Sequence, residues 1–252
     1  KKNIFLHQNE DGLLIINYDN EITREFKKDA NGKVIYFSHK EVLNNGVSFD
    51  ESDRTIKLCN NGVRKHLIMQ KNMKLRGEHN CENACAAIAA TLELAPEDVI
   101  IDTIKNFGGV THRLEFVRKI NGIEWYNDSI GTSPTRTIAG LNSFDEKIVL
   151  IAGGYDKHLD YTPIAEPIVK NVSKLILMGA TAPKIEKAVR DELEKENKTM
   201  PIYNCKTLEE VVNKAKEVAE KGEIVLFSPA SASFDLFKNF EDRGNKFKEI
   251  VN

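Results

Sequence analysis

Lys147-Ile148-Val149-Leu150-Ile151-Ala152-Gly153-Gly154 is the stretch on which the fold turns. Its apolar residues follow one another without alternation and stop at a glycine pair. A strand with one wet face alternates polar and apolar side chains, whereas an unbroken apolar strand belongs to a parallel sheet covered on both faces. The segments around it keep that rhythm. Strands are expected at 147–152, 174–178, 201–203 and 223–228, and helices at 134–144, 162–170, 183–195, 208–221 and 235–251. Upstream, 114–120 and 123–127 flank Asn121-Gly122, a hairpin signal. This alternation predicts a doubly wound α/β domain.

The first part of the chain reads differently. Short β-branched or aromatic runs at 3–8, 13–18 and 34–38 precede 47–50, 55–59 and 63–69, a small meander with its last turn at Asn60-Asn61-Gly62. A helix over 82–94 and another opened by Pro96-Glu97-Asp98 and running to Phe107 complete it. Gly108-Gly109 is the expected hinge. The expected division is 1–109, β-rich and then helical, and 110–252, doubly wound.

Composition narrows the function. Among 252 residues, 41% are hydrophobic and 29% charged, which excludes wholesale disorder. Lys+Arg 36 against Asp+Glu 38 leaves a net charge of −2, so nothing global favours nucleic acid or an anionic membrane. No apolar run is long enough for membrane insertion, and no signal peptide is evident. Four cysteines without a dense framework suit a reducing compartment, and a cytoplasmic location is expected.

In open parallel sheets ligands bind beyond the carboxyl ends of the strands. That rule selects Asn127-Asp128-Ser129, Gly153-Gly154-Tyr155-Asp156-Lys157 and Ser228-Pro229-Ala230-Ser231-Ala232-Ser233. Gly153-Gly154 alone is also what a plain strand-to-helix turn would show, and no dinucleotide fingerprint is present. Thr111-His112-Arg113 follows the hinge, where a surface His-Arg pair is the simple reading and an interdomain ligand site the functional one. Asn80 is a candidate helix cap, and Asn80 and Asn83, three apart, are placed to face one way and read a base edge. Cys81, Cys85 and His79 are read as ordinary core or surface groups, since no second ligand pair follows, and no metal site is expected. No Gly-x-x-x-x-Gly-Lys-[Ser/Thr] occurs, so these residues do not cradle ATP phosphates in the P-loop manner.

At these motifs the sequence resembles the Mur ligases, ATP-dependent amide-forming enzymes of peptidoglycan synthesis. The resemblance rests on Gly77-Glu78-His79-Asn80-Cys81-Glu82-Asn83-Ala84, Thr111-His112-Arg113, Tyr126-Asn127-Asp128-Ser129, Gly153-Gly154-Tyr155-Asp156-Lys157, Ser228 to Asp235, and Phe237-Lys238-Asn239-Phe240-Glu241-Asp242-Arg243-Gly244. It covers essentially the whole chain, in family order, and is strongest to the members that add D-glutamate.

The resemblance implies that residues 1–109 are the end of a central ATPase domain and 110–252 a C-terminal Rossmann-like domain. A UDP-binding domain, the P-loop and the Mg2+ ligands, including a carbamylated lysine, are expected upstream of Lys1. The implied reaction joins D-glutamate to UDP-N-acetylmuramoyl-L-alanine through an acyl phosphate formed with ATP, and the chain alone is expected to be inactive. The implied catalytic residues are His112 and Lys157. Asn80, Asn83, Arg113 and Asp128 are implied for ATP, with Asn83 toward the adenine, Arg113 toward phosphate and Asp128 toward the ribose. Thr132, Lys157, Ser233, Phe234 and Phe240 are implied for D-glutamate. Many relatives carry lysine after Asn-Asp-Ser where this chain has Ile130, so no cationic role carries over there. A monomer is expected. The competing readings are a sister ligase of another amino acid or of folate, and a non-catalytic nucleotide-binding module.

Overall fold

The computed structural model describes residues 2–75 and 77–252. The chain divides into two compact units, Lys1–Gly108 and Gly109–Asn252. In the first, β1 (Leu13–Asn17), α1 (Glu21–Arg24), β2 (Lys33–Ser38), β3 (Gly46–Asp50), β4 (Thr55–Asn60) and β5 (Val63–Met69) precede α2 (Glu78–Thr91) and α3 (Glu97–Asn106). The strands form one sheet in the order β1-β2-β3-β4-β5. The first three run parallel, and β3, β4 and β5 pair antiparallel as the expected meander. Its last turn has Asn61 at φ 48° and Gly62 at φ 79°, the two positive angles that suit a tight hairpin to strand twist. Cys81, Ala84, Cys85, Ile88 and Ala89 of α2 join Val47, Phe49 and Ile56 of the sheet in one core. Their small side chains let the helix lie close to the strands.

Two expectations fail here. Residues 3–8 form no strand: Lys2–Ile4 is a short 3₁₀ turn, with Ile4 exposed and Phe5 buried beside Phe26. Phe5 alone is buried while Ile4 and Leu6 on either side are exposed, so no second sheet residue covers the apolar run as a strand would require. The first long helix begins at Glu78, not at 82, because Gly77 with φ 89° is the entry residue, so Asn80 lies within the first turn and does not cap it.

The second unit contains β6 (Glu115–Ile120), β7 (Ile123–Asn127), α4 (Pro134–Leu141), β8 (Ile148–Ala152), α5 (Ala165–Asn171), β9 (Val172–Leu177), α6 (Ala182–Lys195), β10 (Ile202–Asn204), α7 (Leu208–Val218), β11 (Ile224–Phe227) and α8 (Phe240–Val251). Its sheet runs β10-β9-β8-β11-β7-β6, with only β6 antiparallel to its neighbour. Every residue of β8 and β11 is buried. Ile148, Leu150, Ile224 and Leu226 face a core with Ile185, Val189 and Leu193 of α6. Val149, Ile151, Val225 and Phe227 face the opposite core with α7 and with Phe247 and Val251 of α8. The unbroken apolar run is thus explained by two covered faces.

The last helix starts at Phe240, five residues later than the expected 235. Asn239 Oδ1 accepts the Asp242 N–H at 2.7 Å, and Asp242 Oδ2 accepts the Lys238 N–H at 3.2 Å, a reciprocal cap that fixes the start. Among the described residues no helix is long and apolar enough to cross a membrane.

Leu150→Ala removes a fully buried side chain from the middle of the second sheet. It should lower unfolding free energy by about 2–5 kcal/mol. Urea titration followed through Trp125, the single tryptophan, would read this. An unshifted midpoint would mean that the layer repacks around the loss.

Candidate functional site

The strand order decides which loops meet. β11, last in sequence, inserts between β7 and β8, so three loops distant in the chain emerge side by side from the carboxyl ends of three parallel neighbours. They are the loops opened by Asp128, Gly153 and Ser228, the three that the strand-end rule selected. Main-chain bonds then join two of them: Gly153 N–H donates to Pro229 O at 2.8 Å and Tyr155 N–H to Ala232 O at 3.0 Å. Gly153 has φ 105°, and a Cβ there would stand 2.0 Å from Met178 O, so only glycine allows this turn. Behind the loops Ser231 Oγ sits 2.8 Å from Thr181 Oγ1 and 2.9 Å from the Tyr161 hydroxyl, a buried hydroxyl chain.

Arg243, assigned no role from the sequence, ties the loops to α8. It is 2% exposed. Nε donates to Ser129 Oγ at 3.0 Å and Nη2 to Ser129 O at 2.8 Å, while Nη1 donates to Ser231 O at 3.1 Å and Ala232 O at 2.9 Å. Burial lowers its pKa to about 10, which leaves it charged at neutral pH. A signal was available: Arg243, Phe247 and Val251 recur every fourth residue, so the arginine stands in the buried stripe of its helix.

Asp128 is also buried. Its Oδ1 accepts the Leu114 N–H at 3.2 Å and its Oδ2 the Ser228 hydroxyl at 2.6 Å. Desolvation outweighs these bonds and the nearby Arg113 and Arg136, and its pKa rises to about 6. His112, at φ 66°, is buried too, and its Nδ1 lies 2.9 Å from Asn127 Nδ2. Asn127 Oδ1 is taken by the Ser129 N–H at 3.1 Å, so the amide nitrogen faces the imidazole and Nδ1 must accept. Burial, followed by Lys248, lowers the His112 pKa, consistent with a neutral ring protonated on Nε2. A Cβ on Gly244 would fall 2.3 Å from Nδ1, which explains the glycine after Arg243. The ring meets Phe240 edge-on at 6.1 Å, and both border a pocket of about 440 Å³ shared with Thr111 and Ile130. Ile130 thus gives this pocket an apolar wall.

The remaining candidates separate by exposure. Ser233 is buried, Thr132 half-buried and Phe234 exposed. Lys157 is exposed, with Nζ 5.8 Å from the centre of the Phe234 ring, and Phe234 in turn meets Tyr155. The neighbouring Asp156 is held by Lys184 at 2.6 Å, its pKa lowered by that bond, so it does not neutralise Lys157. Arg113 is half-buried and has no hydrogen-bonding or ion-pair partner for its guanidinium among the described residues. In the first unit Asn83 Nδ2 donates to Asn80 Oδ1 at 3.2 Å, so the two amides do share a face of α2.

Asp128 keeps its proton to higher pH in the folded chain than in the unfolded one. Its contribution to stability is therefore complete below 3.8 and is lost as pH rises through about 6. The full change is on the order of 3 kcal/mol. Asp128→Asn should lack this loss, so urea titrations of both proteins from pH 4 to 7 should diverge, and a constant difference would contradict the buried-acid reading. Arg243→Met strands the Ser129 and Ser231 carbonyls, while Ala232 O keeps the Tyr155 N–H, and should cost about 2–4 kcal/mol, with little recovered by Arg243→Lys, whose single ammonium cannot span both loops. Wild-type urea stability in both variants would remove the clamp.

Residues 1–91 match the Mur ligase middle domain, and residues 112–231 match the Mur ligase, glutamate ligase domain. The chain is 50% identical over 254 residues to the UDP-N-acetylmuramoylalanine--D-glutamate ligase of Acetivibrio thermocellus. It is 46% identical over 252 residues to that of Clostridium acetobutylicum. Each alignment covers 100% of this chain and 54% of the relative, so the chain spans about half the length of the curated relatives it matches. Among solved structures, MurF from Acinetobacter baumannii superposes with a TM-score of 0.64 at 17% identity, over 99% of this chain and 54% of that one. MurF from Thermotoga maritima, solved with ADP, gives 0.61 at 15% identity, over 98% and 56%. Two family domains in succession over a fold that these ligases share leave one conclusion: the chain belongs to the Mur ligase family.

Proposed function

We propose that the chain is part of a longer enzyme that adds D-glutamate to UDP-N-acetylmuramoyl-L-alanine in the cytoplasm at the expense of ATP, and that it is inactive alone. The observation that carries the reading is the meeting of the Asp128, Gly153 and Ser228 loops beside an exposed ammonium, Lys157, that no carboxylate neutralises among the described residues. The relatives' shared name supports the choice of amino acid.

In this reading ATP phosphorylates the carboxylate of the alanyl precursor, and the amine of D-glutamate displaces phosphate from the acyl phosphate. Negative charge gathers at both steps, so cations and N–H donors are required around the reacting groups. Asp128, ionised at neutral pH, keeps lone pairs beyond those given to Leu114 and Ser228 and accepts from the ribose hydroxyls. Arg113, with its guanidinium uncommitted, attracts phosphate. His112 offers its Nε2–H at the pocket shared with Phe240 and Ile130, a donor that carries no charge. Asn80 and Asn83 read the adenine through the paired amides of α2. Lys157 receives a D-glutamate carboxylate, with Thr132, Ser233, Phe234 and Phe240 shaping the rest. Mg2+ would neutralise phosphate charge when bound, and its ligands are assigned to sequence outside these residues. The enzyme acts as a monomer.

Lys157→Met in the full-length enzyme tests this. Loss of the counter-charge should reduce kcat/KM for D-glutamate about 30- to several-thousand-fold, through an unpaired substrate carboxylate. The KM for ATP should move far less. Unaltered D-glutamate kinetics would return Lys157 to the solvated surface and remove the basis for choosing D-glutamate.

A further inference from the structure

The first unit contains a group of side chains to which the ligase reading gives no task. Asp19 follows β1, His39 follows β2, and Glu82 lies in the second turn of α2. His39 Nδ1 is 3.1 Å from Asp19 Oδ2 and 3.9 Å from Glu82 Oε2, and the three atoms lie within 4.8 Å of one another. His39 Nδ1 is shielded from solvent yet makes no hydrogen bond. A ring nitrogen in that state, with two carboxylates beside it, lacks a partner that the surrounding side chains do not supply.

The carboxylates are held for it. Asp19 Oδ1 accepts the Ser38 hydroxyl at 2.5 Å, and Oδ2 accepts the His39 N–H at 2.8 Å. Glu82 Oε1 accepts from Asn17 Nδ2 at 2.5 Å, and Asn17 Oδ1 is fixed by the Asp19 N–H at 2.8 Å. These contacts leave His39 Nδ1 between Asp19 Oδ2 and Glu82 Oε2, near both carboxylates without a hydrogen bond to either. Around a cation with bonds of about 2.0–2.2 Å, adjacent ligand atoms stand roughly 3–3.5 Å apart. The His39–Asp19 separation of 3.1 Å matches that spacing, and Glu82, 3.9 Å from the imidazole, would have to close the remainder.

We propose that Asp19, His39 and Glu82 form a divalent-cation site that ties the ends of two parallel strands to α2. One imidazole and two carboxylates suit Zn2+ or Mn2+, whereas Mg2+ favours oxygen ligands in a strict octahedron. Asn17 and Ser38 orient the ligands from behind, as the outer partners of metal ligands do. The site rests on the geometry of the first unit alone and stands or falls separately from the ligase reading.

The test uses the whole chain, stripped of metal, with binding of ZnCl2, MnCl2 and MgCl2 followed by calorimetry and by thermal unfolding. One equivalent of Zn2+ or Mn2+ should bind and raise the melting temperature, with Mg2+ much weaker. His39→Gln and Glu82→Gln should each weaken uptake at least about tenfold. Glu82 is partly exposed, so its variant should fold even if the histidine variant does not. The Mn2+ arm separates this site from the cysteine thiols, which favour softer ions. No uptake, equal uptake of Mg2+, or Mn2+ binding unchanged in both variants would overturn the proposal.

Discussion

The carboxyl edge of the second sheet depends on one buried guanidinium. Three loops distant in the sequence leave that edge, with the buried hydroxyls of Ser129, Ser228 and Ser231 among them. Arg243 supplies a planar fork of five donors, four of whose bonds reach the Ser129 and Ser231-Ala232 loops. Burying a cation costs free energy, and neutral carbonyls return less of it than a carboxylate would. The gain is geometric, since the loops are set before any ligand arrives, which is what a site acting by positioning requires. The clamp also places a fixed positive charge in the same region as Asp128, opposing the desolvation that holds its proton.

This arrangement divides the candidate residues by physical role. His112, Asp128 and Ser233 are buried, so their orientation is decided by the fold and a ligand must come to them. Lys157 and Phe234 are exposed, and they meet each other and Tyr155 instead of a packed core. A flexible cation over an exposed ring suits capture of an anion; a locked imidazole and a buried acid suit reading its shape.

Most of this fold was legible because its determinants are local. Continuous apolar strands, Asn-Gly turns and the Gly153-Gly154 turn each act through neighbours in the chain, and each lies where the pattern placed it. The loops of the site were legible for the same reason, being strand ends. What stayed hidden is non-local. The order β8-β11-β7 is set by long-range pairing, so the joining of the Gly153 and Ser228 loops could not be read from either. Arg243 declares itself only through its register with Phe247 and Val251, which puts it in the buried stripe of α8. The later start of the last helix was available in Asn239-Phe240-Glu241-Asp242, a capping pattern that outweighs the apolar spacing before it. Residues 3–8 form no strand because, of Ile4, Phe5 and Leu6, only Phe5 is buried, and an apolar run does not say which face will be covered.

Both units answer the same constraint at the ends of parallel strands. Where a ladder stops, its last carbonyls and the first N–H groups beyond lose their partners together, and polar side chains must gather there to satisfy them. In the second unit that need is met by Asp128, Ser228 and the carbonyls bound to Arg243, and the surplus groups face outward as a candidate ligand site. In the first unit Asn17, Asp19 and Ser38 meet it at the ends of β1 and β2, each bonded to main chain or to one another. His39 and Glu82 are the surplus, and they face each other while both remain partly exposed. A strand end that satisfies its backbone with more acceptors than donors is left short of positive charge, and a bound cation is the simplest way for β1, β2 and α2 to make up the difference.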